Sequence, residues 1–386
     1  MSRGLADPER PVRDPTNTTP ENQTATVRDQ ERWPMRVIRR GEAVRPLPLH
    51  ARSLEDLTFE VGDVCRSLSD YMARRRTAGL LILKGGEIAL ERYGMGSGPE
   101  RLQTSYSTAK SITSTLVGAA LHDGAIGCLD DRCDLYLPRL RGSAYEGVTV
   151  RNVMRMCSGV AWSEEDDGRL RRALASRADR LHPGSPVHPA ARSAAGCRLQ
   201  LFDRRELPAW RAGRGRHGPA AGGLRRRDHL GPAGMEANAY WVLESKGGLE
   251  WGGFGVSARL RDIGRFGQLV LEDGEAFSGR RVLPPGWRDL AGQPDSAPTA
   301  FGRLMPGSPA GYGYHWWAVP RSPANVSGGA FSAVGAYGQR IFVNPAEQVV
   351  AAIQSAWRQP QDSDAEAETI ALLRAAVPAL RPDPGS

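Results

Sequence analysis

The chain lacks the sequence features of membrane and secreted proteins. Its 386 residues contain no apolar run of the roughly 18 residues that a membrane-spanning helix needs. The polar N-terminal residues 1–30 include no apolar segment of the signal-peptide kind. We therefore expect a cytoplasmic protein that does not bind a membrane, with residues 1–30 forming a disordered arm.

Cysteine is scarce, and its pattern excludes a disulfide framework. An odd number of scattered cysteines is typical of reduced thiols in a cytoplasmic protein. Cys128 and Cys133 could form half of a metal site, but no His or Cys pair with ligand spacing completes it. We therefore expect no metal and no other cofactor. The five cysteines are Cys65, Cys128, Cys133, Cys157 and Cys197.

Lysine is also rare, and the positive charge is unevenly distributed. The chain has three lysines, Lys84, Lys110 and Lys246, and a net charge of +8. Residues 176–230 contain twelve arginines and four acids, an excess that equals the net charge of the whole chain. The remainder is neutral overall, so we expect no general nucleic-acid-binding surface.

The most informative stretch that is present contains Ser107 and Lys110, a Ser-x-x-Lys pair at the start of an apolar run. Residues three apart on a helix lie on one face, so the lysine amine can reach the serine hydroxyl. A serine alcohol needs such an adjacent base to act as a nucleophile. Serine is common, however, and a chance pair has odds of roughly one in five or less. The pair alone is therefore a weak signal.

The sequence around Ser107 and Lys110 favours a catalytic pair over a chance occurrence. Residues 112–121 are apolar or small and end at Asp123-Gly124, which predicts a helix. Burial disfavours the charged form of an amine, so Lys110 at this helix start is expected to be a better base. The start of a helix also offers free backbone N–H groups to negative charge that develops during a reaction.

Two hairpin patterns and the helices between them predict the fold class. We expect an α/β (α+β) fold in which helices flank a mostly antiparallel sheet built from both ends of the globular part, with a helical subdomain inserted. The predicted hairpin strands are residues 79–84 with 87–93, and residues 339–343 with 349–355.

Local patterns predict several further elements. These are an extended segment over residues 33–50, a helix over 57–75, a helix from 148 to 154, a loop over 240–251, a helix capped by Ser257 and ending at Leu271, a strand over 313–319, and a final helix over 364–376.

Several motifs, in order along the chain, resemble those of the serine β-lactamase-like hydrolases of the class C type. The branch that contains esterases and 6-aminohexanoate-dimer hydrolases is the most similar. The resemblance covers roughly residues 31–378 apart from 176–230. The matching segments are Ser107-Thr108-Ala109-Lys110, residues 148–159, Gly231-Pro232-Ala233-Gly234-Met235, residues 252–257, Tyr312-Gly313-Tyr314-His315-Trp316-Trp317, and Gly335-Ala336-Tyr337-Gly338-Gln339.

The resemblance implies that Ser107 attacks an ester or amide carbonyl and that Lys110 helps to deprotonate it. The oxyanion would lie between the backbone N–H of Ser107 and an N–H of the third motif. The candidates there are Gly335, Ala336 and Tyr337, with Ala336 favoured. The family's third motif often carries a lysine or histidine, whereas residues 333–338 contain no cation. This difference disfavours a true β-lactamase.

The family's second motif, whose tyrosine completes the proton relay, is missing. It should lie between Gly159 and Gly231, but no tyrosine occurs between Tyr145 and Tyr240. The basic segment of residues 176–230 occupies most of this region instead. They could form a disordered basic linker or a nucleic-acid-binding insert, although only Phe202 and Trp210 offer the aromatic rings such an insert uses.

A third interpretation explains the segment better. Residues 200–206, Gln-Leu-Phe-Asp-Arg-Arg-Glu, can be encoded so that a frame displaced by one base gives Asn-Tyr-Ser-Thr-Gly-Glu, a sequence similar to the second motif. We predict two compensating frame shifts, near residues 176 and 230. As written, residues 176–230 have too little apolar periodicity to offset an ordering cost of about 1–2 kcal/mol per residue, so we expect this segment to be poorly ordered.

The sequence thus predicts a serine hydrolase of a small-molecule ester or amide, possessing a β-lactamase-like domain over residues 31–378 and a tail over 379–386. Loss of the second-motif tyrosine is expected to impair its activity. The alternative is a non-catalytic pseudoenzyme or binding scaffold of the same fold. A weaker alternative is a nucleic-acid-binding protein that acts through the basic segment.

Overall fold

The computed structural model describes residues 34–160, 231–243, 248–292, 311–318 and 329–382. The predicted N-terminal arm and the segment 176–230 lie outside the described residues, as do residues 383–386, half of the predicted tail. No helix in the described part of the chain is long and apolar enough to cross a membrane. The cytoplasmic location stays a prediction.

Strands from both ends of the described chain form the main sheet. In chain order the strands are β1 (Met35–Ile38), β2 (Thr58–Val61), β3 (Val64–Ser67), β4 (Thr77–Lys84), β5 (Glu87–Tyr93), β6 (Gln103–Thr104), β7 (Ala239–Val242), β8 (Val256–Ala258), β9 (Gly311–Tyr312), β10 (Trp317–Ala318), β11 (Phe331–Gly335), β12 (Gln339–Asn344) and β13 (Val349–Ser355). Seven of these form an antiparallel sheet in the order β5-β4-β13-β12-β11-β10-β9.

Helices cover both faces of this sheet. In the described residues they are α1 (Leu68–Arg74), α2 (Ala109–His122), α3 (Cys133–Tyr136), α4 (Val150–Met154), α5 (Leu260–Leu271), α6 (Trp287–Gly292) and α7 (Ser363–Ala379). Side chains alternate across a strand, so Leu81 packs into the apolar core shared with α2 and α5, while Leu80 packs into the core shared with α7. Every residue of β13 is buried, as expected for a strand covered on both faces.

These observations confirm the predicted mixed α/β fold class and several of the local elements. Both predicted hairpins form, by β4 with β5 and by β12 with β13. The apolar run after Lys110 is α2, and the final helix is α7. The predicted helix over 148–154 begins at Val150, because the Thr149 side chain caps it by accepting a hydrogen bond of 3.2 Å from the Asn152 N–H.

The predicted helix over residues 57–75 is wrong in its first half. Residues 58–67 form the β2–β3 hairpin, and only α1 is helical. The turn contains Gly62 at φ +59°, a conformation that glycine adopts without strain. The helix begins after Ser67, which forms a reciprocal capping box with Asp70.

The predicted loop over 240–251 is also wrong in part. Residues 239–242 are strand β7, which pairs with β1 on one side and β8 on the other, in a sheet ordered β1-β7-β8-β6. Ser257, predicted to cap the following helix, lies in β8 instead, and α5 begins at Leu260 after Arg259. Pairing with β1, which is distant in sequence, stabilises β7, so local pattern gave no signal for it.

The predicted strand over 313–319 is two short strands. β9 and β10 pair with each other through a tight turn, with Trp317 opposite Tyr312. His315 in that turn has φ +63°, which interrupts an extended conformation. The aromatic residues Tyr312, Tyr314 and Trp316 are nevertheless all buried.

Candidate active site

Ser107 and Lys110 meet as the sequence predicts. Ser107 lies in a short 3₁₀ turn, Tyr106–Thr108, that runs directly into α2. The Lys110 Nζ donates a hydrogen bond of 2.7 Å to the Ser107 Oγ. Both side chains are half-buried. This distance is within the range over which a base can take a proton from a nucleophile.

Strand β8 fixes the turn that presents the nucleophile. The Ser105 N–H donates to the Val256 carbonyl at 2.6 Å, and the Ser105 Oγ accepts from the Val256 N–H at 3.1 Å. The Ser105 carbonyl in turn accepts from the Thr108 N–H at 3.1 Å. Tyr106 adopts φ +45°, which is unfavourable for a bulky side chain and is tolerated where surrounding contacts over-determine the backbone.

The third motif lies against the same turn. A Cβ atom at Gly335, the last residue of β11, would come within 2.6 Å of the Ser105 carbonyl and 3.1 Å of the Thr108 nitrogen. Glycine therefore permits the close approach of β11 to residues 105–108, the turn that carries Ser107 and is called the nucleophile turn below. The Tyr337 N–H donates to the Pro360 carbonyl at 3.0 Å. Of the three candidate residues, Tyr337 thus has its amide committed elsewhere, and Ala336 stays the predicted oxyanion donor.

A glycine turn holds the lysine from the other side. The Lys110 Nζ also donates to the Gly253 carbonyl at 3.2 Å. The neighbouring Gly252 carbonyl accepts a bond of 2.6 Å from the Thr113 hydroxyl. At the ends of the turn, the Trp241 indole N–H lies 2.9 Å from the Trp251 carbonyl and 3.2 Å from that of Phe254. The sequence indicated the glycines but gave no role to Thr113.

Aromatic rings border the nucleophile. The Tyr106 ring lies 5.7 Å from that of Phe254 and 5.1 Å from that of Tyr337 between centroids, and Trp251 lies 6.2 Å from Phe254. Tyr106, Trp251 and Phe254 are half-buried. Such rings offer apolar contact area with a defined geometry. Sequence reasoning missed this cluster, because its members come from three separate segments.

Other matching motifs support the site from outside it. The Arg151 guanidinium bonds to Asp130 at 2.6 Å, which lowers the pKa of that carboxyl, and it also contacts the Tyr314 hydroxyl. The Ser111 hydroxyl, on α2, donates to the His315 carbonyl at 2.5 Å. The Ser111 bond attaches the β9–β10 turn to α2, the helix that carries Lys110, and the Arg151 contact attaches the turn to α4.

Cys128 and Cys133, considered above as half of a metal site, lie in different environments. Cys128 is exposed and Cys133 is buried. No group of three or more His, Cys, Asp or Glu side chains suited to a metal ion occurs in the part of the chain that the structure describes.

Comparison with known proteins shows sequence similarity to serine hydrolases. A model of the β-lactamase family matches residues 65–193. The 6-aminohexanoate-dimer hydrolase of Paenarthrobacter ureafaciens is 27% identical over 376 residues, which cover 91% of this chain and 89% of that protein.

Solved structures share the fold. One from Bacillus anthracis, assigned as a 6-aminohexanoate-dimer hydrolase, superimposes with a TM-score of 0.71 at 20% identity, covering 93% of this chain and 94% of the other. A family VIII carboxylesterase gives a TM-score of 0.51 at 15% identity, over 79% of this chain and 92% of the other. Together with the ordered motifs and the sequence relative, these structures show that the chain is similar to the serine β-lactamase-like hydrolases in sequence and in fold.

Proposed function

We propose that this protein hydrolyses an ester or a small amide through an acyl-enzyme on Ser107. The observation that carries the proposal is the 2.7 Å contact between the Lys110 Nζ and the Ser107 Oγ. A primary amine at this distance can accept the hydroxyl proton, provided that the amine is itself unprotonated.

The proposed reaction has two halves. The Ser107 Oγ attacks the substrate carbonyl while Lys110 takes its proton, and the N–H groups of Ser107 and Ala336 stabilise the oxyanion. The carbonyl re-forms as the alkoxide or amine leaves with a proton from the lysine. Water then attacks the acyl ester, returning the acid product and the free Ser107 hydroxyl.

The site favours esters and small amides over β-lactams. Residues 333–338 contain no cation that would bind a substrate carboxylate, and the rings of Tyr106, Phe254 and Tyr337 offer apolar contacts instead. The names of the relatives fit this class, since one denotes a hydrolase of a 6-aminohexanoate dimer and another a carboxylesterase.

A non-catalytic scaffold is the second candidate. It is favoured by the absence of any tyrosine between Tyr145 and Tyr240, where the family's second motif should supply one. The match to the family model ends at residue 193, inside the basic segment 176–230. If the proposed frame shifts are present, this chain keeps the nucleophile and base but has lost the residue that completes the relay.

Labelling of the nucleophile tests the proposal. A fluorophosphonate probe should form a covalent adduct at Ser107, found by mass spectrometry of the peptide, and Ser107→Ala should abolish it. Ser97 is a half-buried serine outside the site, so Ser97→Ala is the matched control and should label like wild type. Labelling that survives Ser107→Ala would refute the serine-hydrolase proposal. Labelling of Ser107 without turnover of any short-chain ester would favour the scaffold.

A further inference from the structure

The direction in which Lys110 offers its lone pair depends on a second acceptor. A neutral amine has two N–H groups and one lone pair. To receive the proton of Ser107, the lone pair must point at the Ser107 Oγ, and the N–H groups must point elsewhere. The Gly253 carbonyl, 3.2 Å from the Nζ, is an acceptor for one of them. The placement of this carbonyl therefore helps to set the rotation of the amine.

The turn that carries this carbonyl needs an external restraint. Gly252 and Gly253 are adjacent glycines, which have the widest range of backbone conformations. The Gly252 carbonyl accepts a 2.6 Å hydrogen bond from the Thr113 hydroxyl, and Thr113 is fully buried with 0% of its surface exposed. This bond fixes the carbonyl next to the one that Lys110 contacts.

Both contacts come from one face of one helix. Thr113 follows Lys110 by three positions on α2, so the two side chains project in the same direction. They bind consecutive carbonyls of the same turn, Gly253 by Lys110 and Gly252 by Thr113. A displacement of the Gly252–Gly253 peptide would therefore change the contact of Lys110 directly.

We infer that Thr113 is a positioning residue: by holding the Gly252–Gly253 peptide, it orients the Lys110 amine toward Ser107. This inference rests on the proposed function, in which Lys110 is the base. It assigns to a fully buried hydroxyl a part in setting the rate of acylation.

Three variants test the inference. Thr113→Val removes the hydroxyl at nearly constant shape, and Thr113→Ser restores it. Thr115→Val is the matched control, because Thr115 is a buried threonine on the same helix whose hydroxyl donates at 2.9 Å to the Ser111 carbonyl within the helix. Acylation by a chromogenic short-chain ester is measured by burst kinetics on the full chain.

We expect Thr113→Val to slow acylation by about tenfold or more at saturating ester with KM little changed, as for an interaction that acts in the transition state. Thr113→Ser should recover most of the rate, and Thr115→Val should behave as wild type. Equal losses in Thr113→Val and Thr115→Val, or wild-type acylation by Thr113→Val, would overturn the inference.

A second measurement does not depend on turnover. Trace acetylation with acetic anhydride, followed by mass spectrometry, compares the reactivity of Lys110 with that of Lys84, whose amine also donates to a backbone carbonyl, that of Glu347 at 2.6 Å. Losing an acceptor destabilises an ammonium, so Thr113→Val should raise the Lys110-to-Lys84 labelling ratio by about threefold or more. Thr113→Ser and Thr115→Val should leave the ratio near its wild-type value.

The two measurements separate the possible failures. If the wild type is not acylated, or is acylated equally after Ser107→Ala, the proposed function fails while the labelling ratio still decides whether Thr113 controls Lys110. An unchanged ratio in Thr113→Val overturns the inference even if Ser107 is acylated normally.

Discussion

At the scale of single residues, the identity of the base can be tested by Lys110→Arg. A guanidinium stays protonated near neutrality and cannot accept a proton, so we expect acylation to fall by about 10²–10⁴-fold with folding retained. Burst kinetics and the thermal unfolding midpoint measure the two effects. Lys84→Arg is the control, since Lys84 lies at the end of β4 and bonds to the Glu347 carbonyl. Full activity in Lys110→Arg would restrict the lysine to an electrostatic role.

A second residue-scale prediction concerns the close approach at Gly335. A Cβ there would lie 2.6 Å from the Ser105 carbonyl, so Gly335→Ala must displace either β11 or the nucleophile turn. We expect a loss of about 1–3 kcal/mol in unfolding free energy together with loss of acylation. Urea unfolding and fluorophosphonate labelling measure these. Gly98→Ala, where an added Cβ meets nothing within 4 Å, should change neither.

Sequence reasoning found the residues whose relation is local or forms part of a family motif. Ser107 and Lys110 are three apart on one helix, so their contact follows from helical geometry. The contacts of Thr113 with Gly252 and of Tyr337 with Pro360 join segments distant in sequence. Only folding brings such groups together, and no periodic pattern in the sequence predicts these contacts.

At the scale of elements, an ion pair joins α5 to the edge strand β5. Arg261 bonds to both carboxylate oxygens of Glu91 at 2.7 Å. Burial alone would raise the pKa of Glu91, but the hydrogen bonds from Arg261 and Tyr93 outweigh it and lower this pKa below its ordinary value of 4.5. The pair therefore stabilises the fold above pH 4.5, and this stabilisation is lost as the pH falls through the lowered pKa.

Replacing this carboxylate should change the acid sensitivity of the fold. We expect Glu91→Gln to lower the unfolding free energy at pH 6 and to differ less from wild type at pH values below the lowered pKa. Urea unfolding at several pH values between these limits measures the difference. Glu60→Gln, on the exposed side of β2, is the control and should follow the wild-type profile. A constant difference across the whole range would contradict the assignment.

The sequence predicts an element more readily when the hydrogen-bond partners of that element lie nearby in the sequence. The β4–β5 and β12–β13 hairpins pair with their own neighbours, so alternation and turn residues predict them. Strand β7 depends on β1, and the pattern around Tyr240 gave no sign of it. The β2–β3 hairpin was mistaken for a helix because its apolar residues also fit helical spacing.

At the scale of the whole molecule, the proposed frame shifts make a genetic prediction. Sequencing the gene through codons 170–235 should reveal two compensating shifts, and restoring the frame should return the tyrosine of the second motif. General acid–base assistance contributes about 10²–10⁴-fold, so the restored chain should hydrolyse short-chain esters faster by a factor of this order.

Two controls sharpen this comparison. The restored chain carrying Ser107→Ala should lose the gained activity, and so should the restored chain with its new tyrosine replaced by phenylalanine. If the present chain hydrolyses esters at least as fast as the restored chain, the frame-shift hypothesis is contradicted. The basic segment would then have a function in this protein.

The pairing of β4 with β13 also bears on when the protein becomes competent during its synthesis. The turn that carries Ser107 contacts β8 and β11. Strand β4 pairs with β5 on one edge and with β13, near the C-terminal end of the described chain, on the other. Contacts between segments distant in sequence form late, because both segments must be synthesised and the entropy cost of closing the long loop between them must be overcome. We therefore expect nascent chains halted before residue 331 to carry an unreactive Ser107, so that the nucleophile becomes active only when translation is nearly complete.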